Sequence, residues 1–263
     1  MMKPVKPKKF LGQHFLKDLD IASRIADTVD VCPGIPILEV GPGMGVLTGF
    51  LLSKGRELKV AEIDRESVSY LREEMPQLGD GIIEEDFLKM DLGKLFDHRE
   101  FVLTGNYPYN ISSQIFFKML ENKDLIPCCT GMIQREVAQR ITSAPGNKAY
   151  GILSVLLQAW YDVEYLFTVS EQVFLPPPKV KSAVVVLRRN NRKDLGCDEK
   201  LFKQIVKTTF NQRRKQLRNS IRPILSSGPI LEDEIFNKRP EQLSVEQFIL
   251  LTNRIKDSLN ANI

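Results

Sequence analysis

Along roughly the first two thirds of the chain, short apolar runs alternate with longer stretches whose apolar residues recur at helical spacing. This is the pattern of strands and helices taking turns in an α/β sheet. Residues 35–40, 58–63, 81–85, 101–103 and 128–133 read as strands, followed by 161–169 and a β-branched-rich run at 182–187. Helices are predicted over 19–29, 46–54, 65–75, 112–121 and 152–159. Asp64 precedes the third of these, where a carboxylate accepts the free N–H groups of a first turn. The pattern changes after Leu187. Residues 188–199 are polar and mixed in charge, a linker, and beyond them 201–225 and 245–258 read as helices with no further strand. The expectation is an α/β domain over residues 1–189 and a small all-helical domain over 190–263.

Charge sharpens this division. The net charge is only +4, yet residues 1–17 hold five lysines and no acid, and residues 179–222 hold fourteen Lys and Arg against three acids. A basic face on an otherwise acidic body points to a polyanionic partner. No apolar run reaches the roughly 18–20 residues that span a bilayer. The lysine- and proline-rich N-terminus lacks the apolar core of a secretory signal, so a cytoplasmic protein is expected. The four cysteines form no C-x-x-C pair and there are only two histidines, so no metal site is expected.

Candidate chemistry gathers at the predicted strand ends. Residues 37–45 read ILEVGPGMG, a strand running into Gly41, Gly43 and Gly45 and then a helix. Glycines there let a backbone approach a ligand closely, although the spacing is neither the phosphate loop nor the complete dinucleotide fingerprint. The next strand ends at Glu62, about 20 residues on, where an acid is placed to accept hydrogen bonds from ribose hydroxyls. Asp86 ends the third strand and suits an adenine amine. Three such residues at successive strand ends make a stronger signal than any one, because open α/β sheets bind ligands there.

The fourth strand runs into Asn106-Tyr107-Pro108-Tyr109-Asn110. The N6 amine of adenine is a poor nucleophile because its lone pair is delocalised into the ring. Two acceptors that take both amine hydrogens favour a pyramidal nitrogen. The Asn106 amide oxygen and a backbone carbonyl beside Pro108 provide such a pair, and Tyr109 provides a stacking surface. Farther on, three prolines in 174–179 (FLPPPK) stiffen a connection that holds Phe174 either as a second stacking face for an extruded base or as a core residue.

Taken together these residues resemble the KsgA family of ribosomal RNA adenine dimethyltransferases, over nearly the whole chain. Residues 10–18 (FLGQHFLKD) are similar to the family's cofactor-closing N-terminal motif, 39–45 to its glycine loop, and 106–110 to its catalytic motif. Residues 174–185 (FLPPPKVKSAVV) are similar to its post-catalytic loop and strand, and 210–220 (FNQRRKQLRNS) to a basic segment of that branch. The resemblance implies a Rossmann-like class I methyltransferase sheet of seven strands with a helical C-terminal domain. It implies S-adenosylmethionine as cofactor, without a metal, held by His14, Leu16, Gly41, Gly43, Gly45, Glu62, Asp86 and Asn106. It further implies Asn106, Pro108, Tyr109 and Phe174 around the target base. The implied reaction is dimethylation of two adjacent adenines in the 3′-terminal hairpin loop of 16S rRNA, within the small subunit or its precursor, by a monomer with a part in subunit biogenesis. Arg213, Arg214, Lys215, Arg218 and Arg222, on the predicted 201–225 helix, are expected to contact phosphates. Two positions depart from the family's commonest pattern: His14 replaces Asn and Tyr107 replaces Leu. A neutral ring nitrogen of His14 still accepts a hydrogen bond, and Tyr107 is expected to contribute its backbone carbonyl.

Three other readings compete. A large-subunit methylase of the erythromycin-resistance type is disfavoured by the FNQRRK and FLPPPK segments. A DNA adenine methyltransferase commonly carries Pro-Pro-Tyr where this chain has one proline. A non-catalytic rRNA-binding assembly factor needs no intact pocket, and here nothing required for transfer is missing.

Overall fold

The computed structural model describes residues 5–261; Lys3 of the N-terminal basic cluster lies outside that range. The chain divides into two compact units. The first runs to Ala138 and resumes over Asp162–Arg189, and the second comprises Gln139–Tyr161 and the chain from Asn190 onward.

The first unit is built on a sheet whose strands are β2 (Ile37–Val40), β3 (Leu58–Glu62), β4 (Ile82–Glu84), β5 (Val102–Thr104), β6 (Cys128–Gln134), β7 (Tyr161–Val169) and β9 (Ser182–Arg189). Their order is β4-β3-β2-β5-β6-β9-β7. The first five are parallel, in register from Val60↔Ile82 through Ile37↔Leu58 and Ile37↔Val102 to Val102↔Cys128, and β9 runs antiparallel to β6 over seven residue pairs. All of β2, β5 and the first six residues of β9 are buried, as befits central strands covered on both faces. Helices α1 (Leu19–Asp27), α2 (Val46–Leu52), α3 (Arg65–Glu74), α4 (Ser112–Glu121) and α5 (Arg135–Ile141) connect them. Ala22, Ile25 and Ala26 of α1 bury with Leu47 and Leu51 of α2 in one apolar cluster over the sheet. Asp18 and Asp64 cap α1 and α3, accepting the Ile21 and Glu66 amides at 3.0 and 3.2 Å.

A second, two-stranded ribbon joins β1 (Phe15–Leu16) to β8 (Phe174–Leu175), antiparallel, with Phe15 opposite Leu175 and Leu16 opposite Phe174. Neither strand has the length to announce itself in the sequence. Their pairing draws the N-terminal segment onto the proline-rich connection.

The second unit holds α6 (Ile152–Gln158), α7 (Glu199–Asn211), α8 (Leu217–Ser220) and α9 (Val245–Ala261). Residues 139–161, expected with the first domain, group here instead. Tyr150 packs on Phe210 at 6.2 Å, Phe210 stacks on Phe248 at 6.0 Å, and the Gly146 amide donates to the Glu241 carbonyl at 2.6 Å. The single helix expected over 201–225 is also corrected. It stops at Asn211, because after Phe210 the next buried side chain is Leu217 and the intervening NQRRKQ run has nothing to bury. Arg213, Arg214 and Lys215 therefore sit in a turn. Arg218 lies on the short α8, and Arg222 follows it. No helix among the described residues is long and apolar enough to cross a membrane.

Candidate active site

Every strand that ends at the site carries its ligand-type residue to the same place. A cleft of ≈ 200 Å³ in the first unit is lined by Glu62 from β3, Asp86 beyond β4, the 106–111 turn beyond β5, the 41–44 loop beyond β2, and residues 11–16 of the N-terminal segment. The parallel order brings these carboxyl ends side by side, which is why Gly41 and Ile111, 70 positions apart in sequence, share one hollow.

The loop after β2 is held by Glu62. The Gly43 amide donates to Glu62 Oε2 at 3.1 Å and the Asp64 amide to Oε1 at 2.9 Å. Each oxygen keeps a second lone pair for a ligand hydroxyl. Burial pushes the Glu62 carboxyl up, against those two backbone hydrogen bonds. Gly43 has φ +57°, and a Cβ there would stand 2.8 Å from the Phe15 ring, so the position admits only glycine without displacing β1. Gly41 lines the cleft. Gly45 stands at the N-terminus of α2, where an added Cβ would meet Met75, and is not among the residues lining the cleft.

Asn106 donates through Nδ2 to the His14 carbonyl at 3.0 Å. A carbonyl accepts only, so the amide orientation is fixed and Oδ1 is left as the acceptor. The Pro108 carbonyl accepts the Ile111 amide at 3.2 Å. Tyr109 stacks on the His14 ring at 5.4 Å with 29° between planes, and its hydroxyl bonds Ser182 Oγ. His14 in turn donates from Nδ1 to the Pro176 carbonyl at 2.8 Å, leaving Nε2 as its free ring nitrogen. Leu16 lines the cleft and also enters the core.

Phe174 is corrected. It is 1 % exposed, belongs to the core cluster with Leu16 and Ile25, and does not reach the cleft. Pairing of β8 with β1 turns its side chain inward while Leu175 stays exposed. The aromatic side chains lining the cleft include Tyr109 and Phe15.

Two features were not singled out from sequence. Asp64 holds the N-terminal segment as well as capping α3. Burial alone would raise its carboxyl, but Gln13 Nε2 at 3.0 Å and Lys8 Nζ at 2.5 Å hold it below the usual range. Glu39, inside the apolar β2, is 1 % exposed and lines the cleft. Burial pushes its carboxyl up to about 8, against a hydrogen bond from Thr48 Oγ1 at 2.7 Å. A lone carboxylate within ILEV beside a glycine loop was the available signal.

Glu39 has a thermodynamic consequence. Its native carboxyl keeps a proton that the unfolded chain releases near 4.5, so native stability falls as pH rises from that value through about 8. Urea unfolding of wild type and Glu39→Gln between pH 5 and 8.5 is expected to show a shallower decline for the variant. Parallel declines would assign the slope to other groups.

An open seven-stranded sheet with its ligand cleft at the carboxyl ends, and an antiparallel strand next to the last of them, defines a Rossmann-like class I methyltransferase. In a comparison with solved structures, this chain is similar to a dimethyladenosine transferase from Plasmodium falciparum, with TM-score 0.76 and 24% identity over 92% of this chain and 98% of that one. It is also similar to the 23S rRNA methyltransferase ErmE, with TM-score 0.67 and 27% identity over 91% and 99%. Among curated relatives, the ribosomal RNA small subunit methyltransferase A of Bacteroides thetaiotaomicron is 73% identical over 98% of this chain and 97% of its own length. The chain belongs to the ribosomal RNA adenine dimethylase family, whose model matches residues 5–257. It is thus an S-adenosylmethionine-dependent methyltransferase acting on ribosomal RNA adenine.

Proposed function

We propose that this protein dimethylates N6 of two adjacent adenines in the 3′-terminal hairpin loop of 16S rRNA, in the small subunit or its precursor. The observation that carries the reading is the orientation of the Asn106 amide. Its amino end is committed to the His14 carbonyl, so the group offered to a substrate is an acceptor, which suits an exocyclic amine. The small-subunit target is favoured by the 73% identity to a curated small-subunit enzyme, against 27% to a 23S enzyme.

The cleft fits S-adenosylmethionine. Glu62 keeps lone pairs for ribose hydroxyls and Asp86 an oxygen for the adenine amine. The backbone at Gly41 and Gly43, neither of which carries a Cβ, can lie against the amino-acid portion. When bound, the cofactor supplies an electrophilic methyl on a sulfonium sulfur. The protein's part is to hold the target amine in line with that methyl. Asn106 Oδ1 and the Tyr107 carbonyl, which precedes Pro108, accept its two hydrogens, and Tyr109 supports the ring by stacking. With a neutral amide as acceptor, catalysis rests on positioning rather than on removal of a proton from the free amine. His14 Nε2 is available to the cofactor.

The second unit supplies RNA contacts. Arg213 is engaged within it, with Glu241 at 3.8 Å and the Asn147 carbonyl at 3.4 Å, and Arg218 is bonded to Asn237. Arg214, Lys215 and Arg222 are exposed and are the stronger phosphate-contact candidates of the five. Replacing Arg214 or Lys215 with Ala is expected to weaken subunit binding and lower the salt-dependence slope by about one unit each. An unchanged slope would remove the residue from the interface.

The test of function is incubation with methyl-labelled cofactor and small subunits lacking the modification, followed by mapping of the labelled nucleotides. Label confined to two neighbouring adenines near the 3′ end is expected. Label in large subunits alone would favour the other branch.

A further inference from the structure

Tyr107 stands where a smaller aliphatic side chain was the common expectation, and its surroundings are built for the larger one. It is 1 % exposed. Its hydroxyl donates to the Thr130 carbonyl at 2.7 Å and lies 3.3 Å from Cys129 Sγ, whose thiol is the donor in that contact. Its backbone amide donates to the Met132 carbonyl at 3.0 Å. Its ring meets Phe116 edge-on at 6.3 Å. Gly131 makes the slot: it has φ +137°, and a Cβ there would stand 2.9 Å from the Tyr107 ring and 2.3 Å from the Gly105 carbonyl. A Cβ on Gly105 would stand 3.3 Å from the same ring.

One residue is therefore pinned at two points to β6, through its backbone at Met132 and through its phenol at Thr130. Its own carbonyl is attached to the backbone so held. That carbonyl precedes Pro108 and has no hydrogen-bond partner among the described residues, whereas the Pro108 carbonyl is taken by the Ile111 amide. Pro108 has no N–H with which to fasten the turn. Some other restraint must fix the direction in which the 107 carbonyl points.

We infer that Tyr107 is a positioning residue for methyl transfer, its phenol tether to β6 setting the orientation of its own carbonyl toward the target amine, beside the Asn106 amide that the His14 carbonyl holds. This rests on the reading that those two groups accept the amine hydrogens. A core residue that merely fills space affects stability. A residue that aims an acceptor affects the rate of the transfer step, because displacement by about 1 Å costs on the order of a hundredfold.

The experiment compares Tyr107→Phe and Tyr107→Leu with wild type, Asn106→Ala and Cys128→Ala, using unmethylated small subunits. It records kcat, KM for subunits, cofactor Kd and the thermal midpoint, with kinetics taken well below every midpoint. Tyr107→Phe keeps the ring and loses the tether. It is expected to lower kcat about five- to tenfold while KM and cofactor Kd stay within about twofold, and Tyr107→Leu to lower kcat further. Cys128→Ala, a buried change on the same strand, is expected to lower the midpoint and leave kcat intact. Unchanged kcat in both Tyr107 variants, or a loss confined to KM, overturns the inference while leaving the acceptor reading standing if Asn106→Ala is inactive. Full activity of Asn106→Ala overturns both.

Discussion

Asn106→Ala is expected to abolish methyl transfer, by at least about a hundredfold in kcat, while cofactor affinity remains nearly intact. The lost oxygen acts on the substrate amine. Without it one amine hydrogen has no partner, and the nitrogen keeps its lone pair in the ring. The variant also frees the His14 carbonyl, but the segment around His14 retains the Gln13 and Lys8 bonds to Asp64 and the β1–β8 pairing. Asn106→Asp sharpens the test. It preserves acceptors but sets a carboxylate oxygen against the His14 carbonyl, where an N–H now sits at 3.0 Å. It too is expected to be severely impaired. Equilibrium binding of the cofactor together with single-turnover transfer checks both variants. A large loss of cofactor affinity in Asn106→Ala would move Asn106 from the target base to the cofactor.

Glu62→Ala is expected to weaken cofactor binding by about 1.5–3 kcal/mol, the range for losing hydrogen bonds to a charged group. That corresponds to roughly ten- to more than a hundredfold in Kd. The ligand hydroxyls lose their acceptor, and the Gly43 and Asp64 amides lose theirs, so the loop loosens as well. Calorimetric titration with S-adenosylhomocysteine measures the change. An unchanged dissociation constant would remove Glu62 from the ribose contact.

The long elements were legible because their burial is written in their composition. The β-branched run at 182–187 and the ILEV run could only be interior strands, and the strand ends then indicated where ligand-type residues would meet. What was not legible depended on contacts remote in sequence. β1 and β8 have two residues each and exist because residues 15–16 meet 174–175. That pairing also decided between the two readings of Phe174, which local pattern left even. The break after Asn211 was hidden because a basic, polar run has good helix propensity, and only the absence of a side chain to bury stops it. Gly45 shows the same limit in small: its positive φ serves a helix start and a close neighbour, which sequence spacing does not separate from ligand contact.

The amide of Asn106, locked by the His14 backbone, gives the site a one-way chemistry. On the proposed reading, a purine bearing oxygen at C6 would meet lone pairs with lone pairs and be refused, so adenine is selected over guanine without any contact dedicated to guanine. The same lock acts on the finished product. A tertiary nitrogen has no hydrogens left to offer, both acceptors go unsatisfied, and the doubly modified base loses its hold on the pocket that made it.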